Sequence, residues 1–330
     1  MIDNTAYFSS IDADEIRSGA FTFKDVFEVF DYIRWSGWNI PWYNPPRFEC
    51  MEITRTQLCA VPLPTMPLFR GQNYYYDPSY PSLYRRKWSD REKFERLVQL
   101  EDFSVLLSQN PEVQSLIDSG LEVNVMGLAQ HYGLETDIMD LTNSFGVAAF
   151  FATSYYDRLA DRYCPILNYV SRGVIYMDIC MGMLPEGCGF PTVLPIGQES
   201  LARPGEQRGF GVKLSESENF NQFFALRYFF WHNPAASMKC FGIFGEGHAL
   251  FPYDPMAEKV RLMKKYRIYG RDSVEKVYHS SGLFPDLDFD SLLQNMQKDG
   301  CKIFPSTPFQ YTEDELNFVR RRFQMNGWKD

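Results

Sequence analysis

Apolar positions along the chain alternate between helical spacing and short, nearly continuous runs. Phe23, Val26, Phe27, Phe30 and Ile33 recur every three or four residues in TFKDVFEVFDYIRWS, which predicts a helix over residues 22–36. The proline-studded stretch from Pro41 to Pro67 reads as loop with short strands, and the run Met66–Phe69 as a strand leading straight into Arg70. Ser89-Asp90-Arg91-Glu92 has the form of a capping box, in which serine and glutamate satisfy each other's orphan amides, so a helix is predicted to about Leu107. NVMGLAQHYG puts Val125, Leu128, Ala129 and Tyr132 on one helical face, with Gly133 as a stop. GVAAFFATSYY, 146–156, is apolar nearly all round and predicts a buried helix, and GVIYMDI, 173–179, a strand. Residues 238–270 carry short apolar and β-branched runs that end in the candidate strand KKYRIYG. A helix is predicted near 272–281, followed by LFPDLD, whose Pro285 and two aspartates suit the start of the next helix. Thr312 to Glu315 repeats the capping-box pattern ahead of a helix to about Met325.

This pattern predicts an α+β fold forming a single mixed domain, with helices early and at the C-terminus and strands interspersed. Three segments are expected: a helical and Pro/aromatic-rich part, 1–59, packed on the core; a central domain, 60–290; and a helical tail, 291–330. The aromatic share of 16%, with 28 Phe and 20 Tyr, favours a rigid protein with a cavity, since aromatics bury large areas and line clefts. A formal charge of −9 repels phosphodiester backbones, and the basic runs are short (Arg85 to Lys87, Lys264-Lys265, Arg320 to Arg322), so nucleic acid is not an expected partner. The seven cysteines, at 50, 59, 164, 180, 188, 240 and 301, form no CxxC pair, and MIDNTAYFSS lacks a signal-peptide core. No apolar run reaches the roughly 20 residues of a membrane span. A cytoplasmic location without a membrane partner is therefore expected. Phosphate-loop, HExxH and GxSxG patterns are absent, Gly242-Ile-Phe-Gly245-Glu-Gly247 does not match the dinucleotide fingerprint, and the four histidines lack ligand spacing, so no metal is expected.

Two polar clusters look over-specified for packing alone. FRGQ, 69–72, and PSLYRR, 81–86, place Arg70, Gly71, Gln72 and Arg86 close together in sequence. LAQHYGLETDIMDLTNSFGVAAFFA, 128–152, interleaves Gln130, His131, Tyr132, Asp140, Thr142 and Ser144 with apolar residues. Thr142, Asn143 and Ser144 are each competent to cap the helix that follows, or to make its N-terminus an anion site. His131 lies off the apolar face near its helix end, either satisfied by carbonyls there or available for proton transfer. Arg70 offers a rigid fork for an anion, and Gly71 permits close backbone approach.

In order and spacing, FRGQ, PSLYRR, QHYG with MDLTNSFGVAAFFA, and LFPDLD at 283–288 resemble the FRG domain, a bacterial family named for its (F/Y)RG motif. The resemblance spans roughly residues 60–290. Glu135 and Asp137 stand where that family usually has Pro and Arg, and Leu141 replaces its usual Trp. The layout also resembles ADP-ribosyltransferases of the Arg–Ser–Glu type, through Arg70-Gly71, Thr142/Ser144 and the helix after them. That second resemblance implies a split-sheet core, NAD as substrate and a late acid, for which Glu206 is the candidate. Arg203, Gln207 and Gly209 instead match an Arg…Gln-x-Gly signature of the FRG family, which makes Gln207 the recurring polar residue. The implied site has Glu206, Gln207 and His131 as catalytic candidates. Its ligand-binding candidates are Arg70, Gly71, Gln72, Arg86, Gln130, Tyr132, Asp140, Thr142 and Ser144, with Tyr74, Tyr75 or Tyr132 to stack on a base. Two classes stay open, an NAD-using enzyme and a non-catalytic module binding a small nucleotide-like anion. A hydrolase or nuclease working through His131 and Asp140 is a further alternative.

Overall fold

Capping side chains fix most helix starts. Ser89 accepts from the Glu92 amide while Glu92 reaches back to the Ser89 amide, opening the helix Asp90–Leu107. Asn124 caps Val125–His131, which closes on Gly133 in the left-handed region at φ 83°. Ser144 caps Phe145–Thr153, Asp288 caps Phe289–Lys298, and Thr312 and Glu315 exchange hydrogen bonds at the head of Glu313–Met325. The helix Arg271–Ser281 also forms where expected. The chain is seen in a computed structural model that describes residues 5–43, 49–54, 57–61, 67–120, 123–179, 193–196, 202–224 and 226–325. Met66, Cys180 and Cys188 lie outside the described residues.

Three expectations are corrected. Thr22–Phe23 is a strand, because the Asp25 carboxylate accepts from the amides of Phe27 and Glu28 and starts the helix at Val26–Trp35. The buried helix over 146–156 stops at Thr153, and Ser154–Asp157 turns into a two-stranded ribbon with Arg162–Pro165. Between 238 and 270 the short apolar runs belong to two helices, Pro234–Ile243 and Pro255–Lys265. Each is opened by an Asn or Asp cap followed by proline, and the strand is confined to Ile268–Gly270. Within the Pro41–Pro67 stretch, Glu49–Thr54 pairs antiparallel with Gln57–Val61.

Seven strands form the main sheet: β1 (Thr22–Phe23), β2 (Pro67–Gln72), β3 (Ile138–Thr142), β4 (Arg172–Ile179), β5 (Val193–Pro195), β6 (Gly209–Lys213) and β7 (Leu226–Trp231). Their spatial order is β1-β7-β4-β2-β3-β6-β5, parallel only between β1 and β7. The α+β class is therefore as expected. The pairing is uneven. β2 pairs β4 along its whole length, and β3 pairs β6 along its whole length. β2 and β3 meet at one pair only, Phe69 opposite Thr142. Beyond that rung the strands part, and the gap opens between Arg70–Gln72 on one side and Asp140 on the other.

The sheet is covered on both faces. Phe23, Val29, Phe69, Phe145, Ile175 and Phe230 make one core, and Leu68, Met139, Leu141, Tyr176, Phe210 and Phe220 make another. Phe145–Thr153 lies so close on β2 that a Cβ on Gly71 would stand 1.7 Å from the Ala148 carbonyl oxygen. A third core joins helices through Phe103, Leu128, Tyr132, Val260 and Phe309. Among the described residues no helix is long and apolar enough to cross a membrane.

Candidate functional site

Where β2 and β3 part lies a cavity of about 750 Å³, within the range of small-molecule sites. Arg70, within β2 and one residue past the Phe69 rung, crosses the gap: its Nη1 donates to the Asp140 carbonyl at 2.7 Å, where the β2–β3 ladder has run out. Its guanidinium lies 5.6 Å from the centre of the Phe220 ring. Its Nε is buried without a hydrogen-bond partner. Burial holds the Arg70 pKa below the ordinary arginine value, with the Asp140 carboxylate opposing. A guanidinium keeps its proton in proteins, so the group is a cation.

Asp140, on β3, is held from one side. Its Oδ2 accepts from Gln130 Nε2 at 3.1 Å, and Gln130 Oε1 in turn takes the hydroxyls of Thr136 (2.8 Å) and Ser82 (3.2 Å). Its Oδ1 has no hydrogen-bond partner and lies 3.8 Å from His131 Nε2, also buried and without a partner. On the far side of the ring, His131 Nδ1 is 3.0 Å from Gln207 Oε1. Gln207 is anchored twice more: its Nε2 donates to the Leu250 carbonyl at 3.0 Å, and its own carbonyl accepts from Thr142 Oγ1 at 2.8 Å. Gln72, buried, donates from its amide to Ser79 Oγ at 3.2 Å.

The remaining wall is aromatic. Tyr76, Tyr80, Tyr84, Tyr155, Tyr156 and Tyr163 line the cavity, and Arg85 joins them with its Nε on the Tyr80 carbonyl. Burial, then the nearby Asp140 charge, pushes the Tyr163 phenol up to about 12. Burial and the bond to Asp161 push Tyr156 up to about 12. Both stay neutral donors at physiological pH.

Arg70, Gly71, Gln72, His131, Asp140, Thr142 and Gln207 therefore line one cavity, and Gln130 supports Asp140 from behind. Other candidates stand elsewhere. Arg86 stacks 3.5 Å from the centre of the Trp88 ring and pairs with Glu92, while its neighbour Arg85 faces the cavity. Tyr132 is buried between helices, donating a short hydrogen bond to Asp254. Ser144 is buried as a helix cap. Glu206 Oε2 accepts from Tyr43 at 3.3 Å and does not line the cavity. Tyr74 is exposed, and Tyr75 packs on Phe229. The face of Gly71 that lacks a side chain meets the helix backbone, so its close approach is to Ala148. Glu135 and Asp137 pair with Arg96 and Lys213. No cluster of His, Cys, Asp and Glu suited to a metal occurs among the described residues.

Fold and site together define an α+β domain with a tyrosine-walled cleft at a parted strand pair. Residues 66–160 match the FRG domain family model, so the chain carries an FRG domain over that segment. The match takes in FRGQ, PSLYRR, QHYG and MDLTNSFGVAAFFA; Gln207 and LFPDLD lie beyond it. No curated protein and no solved structure matches the chain.

Proposed function

We propose that the cleft binds a small, anionic, nucleotide-like molecule. The observation that carries this reading is that three side chains lining one cavity each hold a buried polar atom without a partner: Arg70 Nε, Asp140 Oδ1 and His131 Nε2. Buried polar groups are almost always paired, so a ligand is expected to complete them. It must accept from a guanidinium and donate to a carboxylate. A sugar phosphate does both, through its phosphate oxygens and its hydroxyls. The tyrosine wall suits a planar base. Calorimetric titration with NAD, ADP-ribose and inorganic pyrophosphate tests the reading. Binding of at least one of them is expected, weakened roughly 10- to 100-fold in a folded Arg70→Ala variant, the worth of a charge-assisted hydrogen bond. No binding by any of the three, or unchanged binding in the variant, would overturn it.

A second reading is ADP-ribosyl transfer or glycohydrolysis with NAD as substrate. Asp140 favours it, as the carboxylate that shares the cleft with Arg70 and Thr142, because cleavage of the nicotinamide bond develops positive charge that a carboxylate stabilises. Release of nicotinamide from NAD is the readout. NAD binding without any release would leave the binding reading alone.

A further inference from the structure

Gln207 reveals which nitrogen of His131 carries the proton. Its side-chain Nε2 donates to the Leu250 carbonyl, so its Oε1 must be the atom that faces the imidazole. A carbonyl oxygen only accepts, hence Nδ1 is the protonated nitrogen. In the neutral ring Nε2 then carries a lone pair. That lone pair faces Asp140 Oδ1 at 3.8 Å, too far for a direct hydrogen bond, and neither atom has another partner. Two acceptors face one another in a cavity wall, with the histidine side chain only 3% exposed. The imidazole packs against Gly209, where a Cβ would stand 2.5 Å from Nε2, so glycine leaves the ring room to sit there.

We propose that His131 Nε2 and Asp140 Oδ1 form a proton-accepting centre for a hydroxyl, from water or from a ligand sugar, with Gln207 as the positioning residue that sets the tautomer. A water bridges the two acceptors with one hydrogen to each, whereas a sugar hydroxyl, with a single hydrogen, donates to Nε2. The O–H bond that points at Nε2 breaks, the proton forms the Nε2–H bond, and the oxygen keeps the electron pair and becomes nucleophilic. The imidazolium left behind donates from Nδ1 to Gln207 Oε1, and its charge is balanced by the Asp140 carboxylate. This deepens the nucleotide reading by adding proton transfer to the same cleft, and it rests on that reading only for the identity of the ligand.

The imidazole nitrogen NMR spectrum of the ligand-free full chain at mildly alkaline pH tests it. The expected result is a neutral His131 with protonated Nδ1 and bare Nε2. In Gln207→Leu the proton is expected to move to Nε2, toward Asp140, and Gln207→Glu, which can still accept from Nδ1–H, is expected to restore the original tautomer. A wild-type ring protonated on Nε2, or a folded Gln207→Leu variant with an unchanged tautomer, would overturn the proposal. Should Gln207→Leu not fold, a high-resolution crystal structure decides. An ordered oxygen bonded to both acceptors supports the centre, and a direct Nε2 to Oδ1 hydrogen bond refutes it. Neither measurement needs a nucleotide, so failure of nucleotides to bind leaves this outcome separately readable.

Discussion

Single side chains in this cleft gain their roles from what they are fastened to. Arg70 and Arg86 looked equivalent as anion-binding cations, yet one crosses the strand gap to the Asp140 carbonyl and the other lies on the Trp88 ring. Glu206 and Gln207 are adjacent in sequence, but the amide lies in the cavity and the acid is bound to Tyr43 outside it. Ser144 illustrates the other outcome, a polar residue fully used by structure: its hydroxyl accepts from the Val147 amide and it is 1% exposed. Ser144→Ala is accordingly expected to cost about 1 kcal/mol of stability, the worth of an N-cap. Ligand affinity should be unchanged once the fraction folded is allowed for. Urea unfolding alongside a binding titration separates the two, and a loss of affinity at full folding would place Ser144 in the binding machinery instead.

At the scale of elements, what could be read in advance depended on whether the signal was local. The capping box at Ser89 and Glu92 needs only four residues, and the helix Asp90–Leu107 starts where they stand. Phe23 shows the opposite case. It falls on the helical spacing of Val26, Phe30 and Ile33, yet its partner Phe230 on β7 lies some two hundred residues away in sequence. The helices Pro234–Ile243 and Pro255–Lys265 carry cap-and-proline signals at Asn233 and Asp254, but their short apolar runs alone do not distinguish helix from strand. In the site, Arg70, Asp140 and His131 were legible because motif spacing singles them out. The tyrosine wall was not, because it assembles from 76–84 and the ribbon at 154–165, and no short window contains it. Gly71 carries the sharpest element-level prediction. A methyl at this position would stand 1.7 Å from Ala148 O, 2.7 Å from Ala148 C and 2.9 Å from Ala152 N, all backbone atoms. Gly71→Ala must therefore shift the helix off β2, at a cost of about 3 kcal/mol or more. Denaturant unfolding would show it, whereas a change under about 1 kcal/mol would mean that helix and strand slide apart with ease.

For the molecule as a whole, the clearest pH lever lies away from the cleft. Glu112 is buried with Oε1 unpartnered, and burial, helped by the charge of Asp254 and opposed by Arg322, pushes its carboxyl up to about 8. In the unfolded chain the same group titrates near 4.3. Across that window the folded state keeps a proton that the unfolded state releases, so this contribution to stability is full below about 4.3 and falls as pH rises through about 8. Glu112→Gln preserves the neutral shape and removes the titration. Its melting temperature is expected to match the wild type near pH 4 and to exceed it above about pH 8, by an amount worth a few kcal/mol. Parallel melting profiles across the whole range would refute the assignment.

One rung between β2 and β3 has a mechanical consequence. Everything left of the seam, from β1 to β2, is a continuous ladder, and so is everything right of it, from β3 to β5. Among the described residues the strand pairing crosses the seam at Phe69–Thr142, with the Arg70 bond to Asp140 beside it. The halves are further joined by the core of Leu68, Met139, Leu141, Tyr176 and Phe210, by the Ser82 and Leu83 bonds to Thr136, and by chain continuity. Asn143 and Ser144 lead directly from the last residue of β3 into the helix that lies on β2. That helix lies as a strap across the seam. The width of the cleft is thus set less by hydrogen bonds, which can be exchanged with water, than by the packed core across the seam and a two-residue length of backbone that cannot stretch.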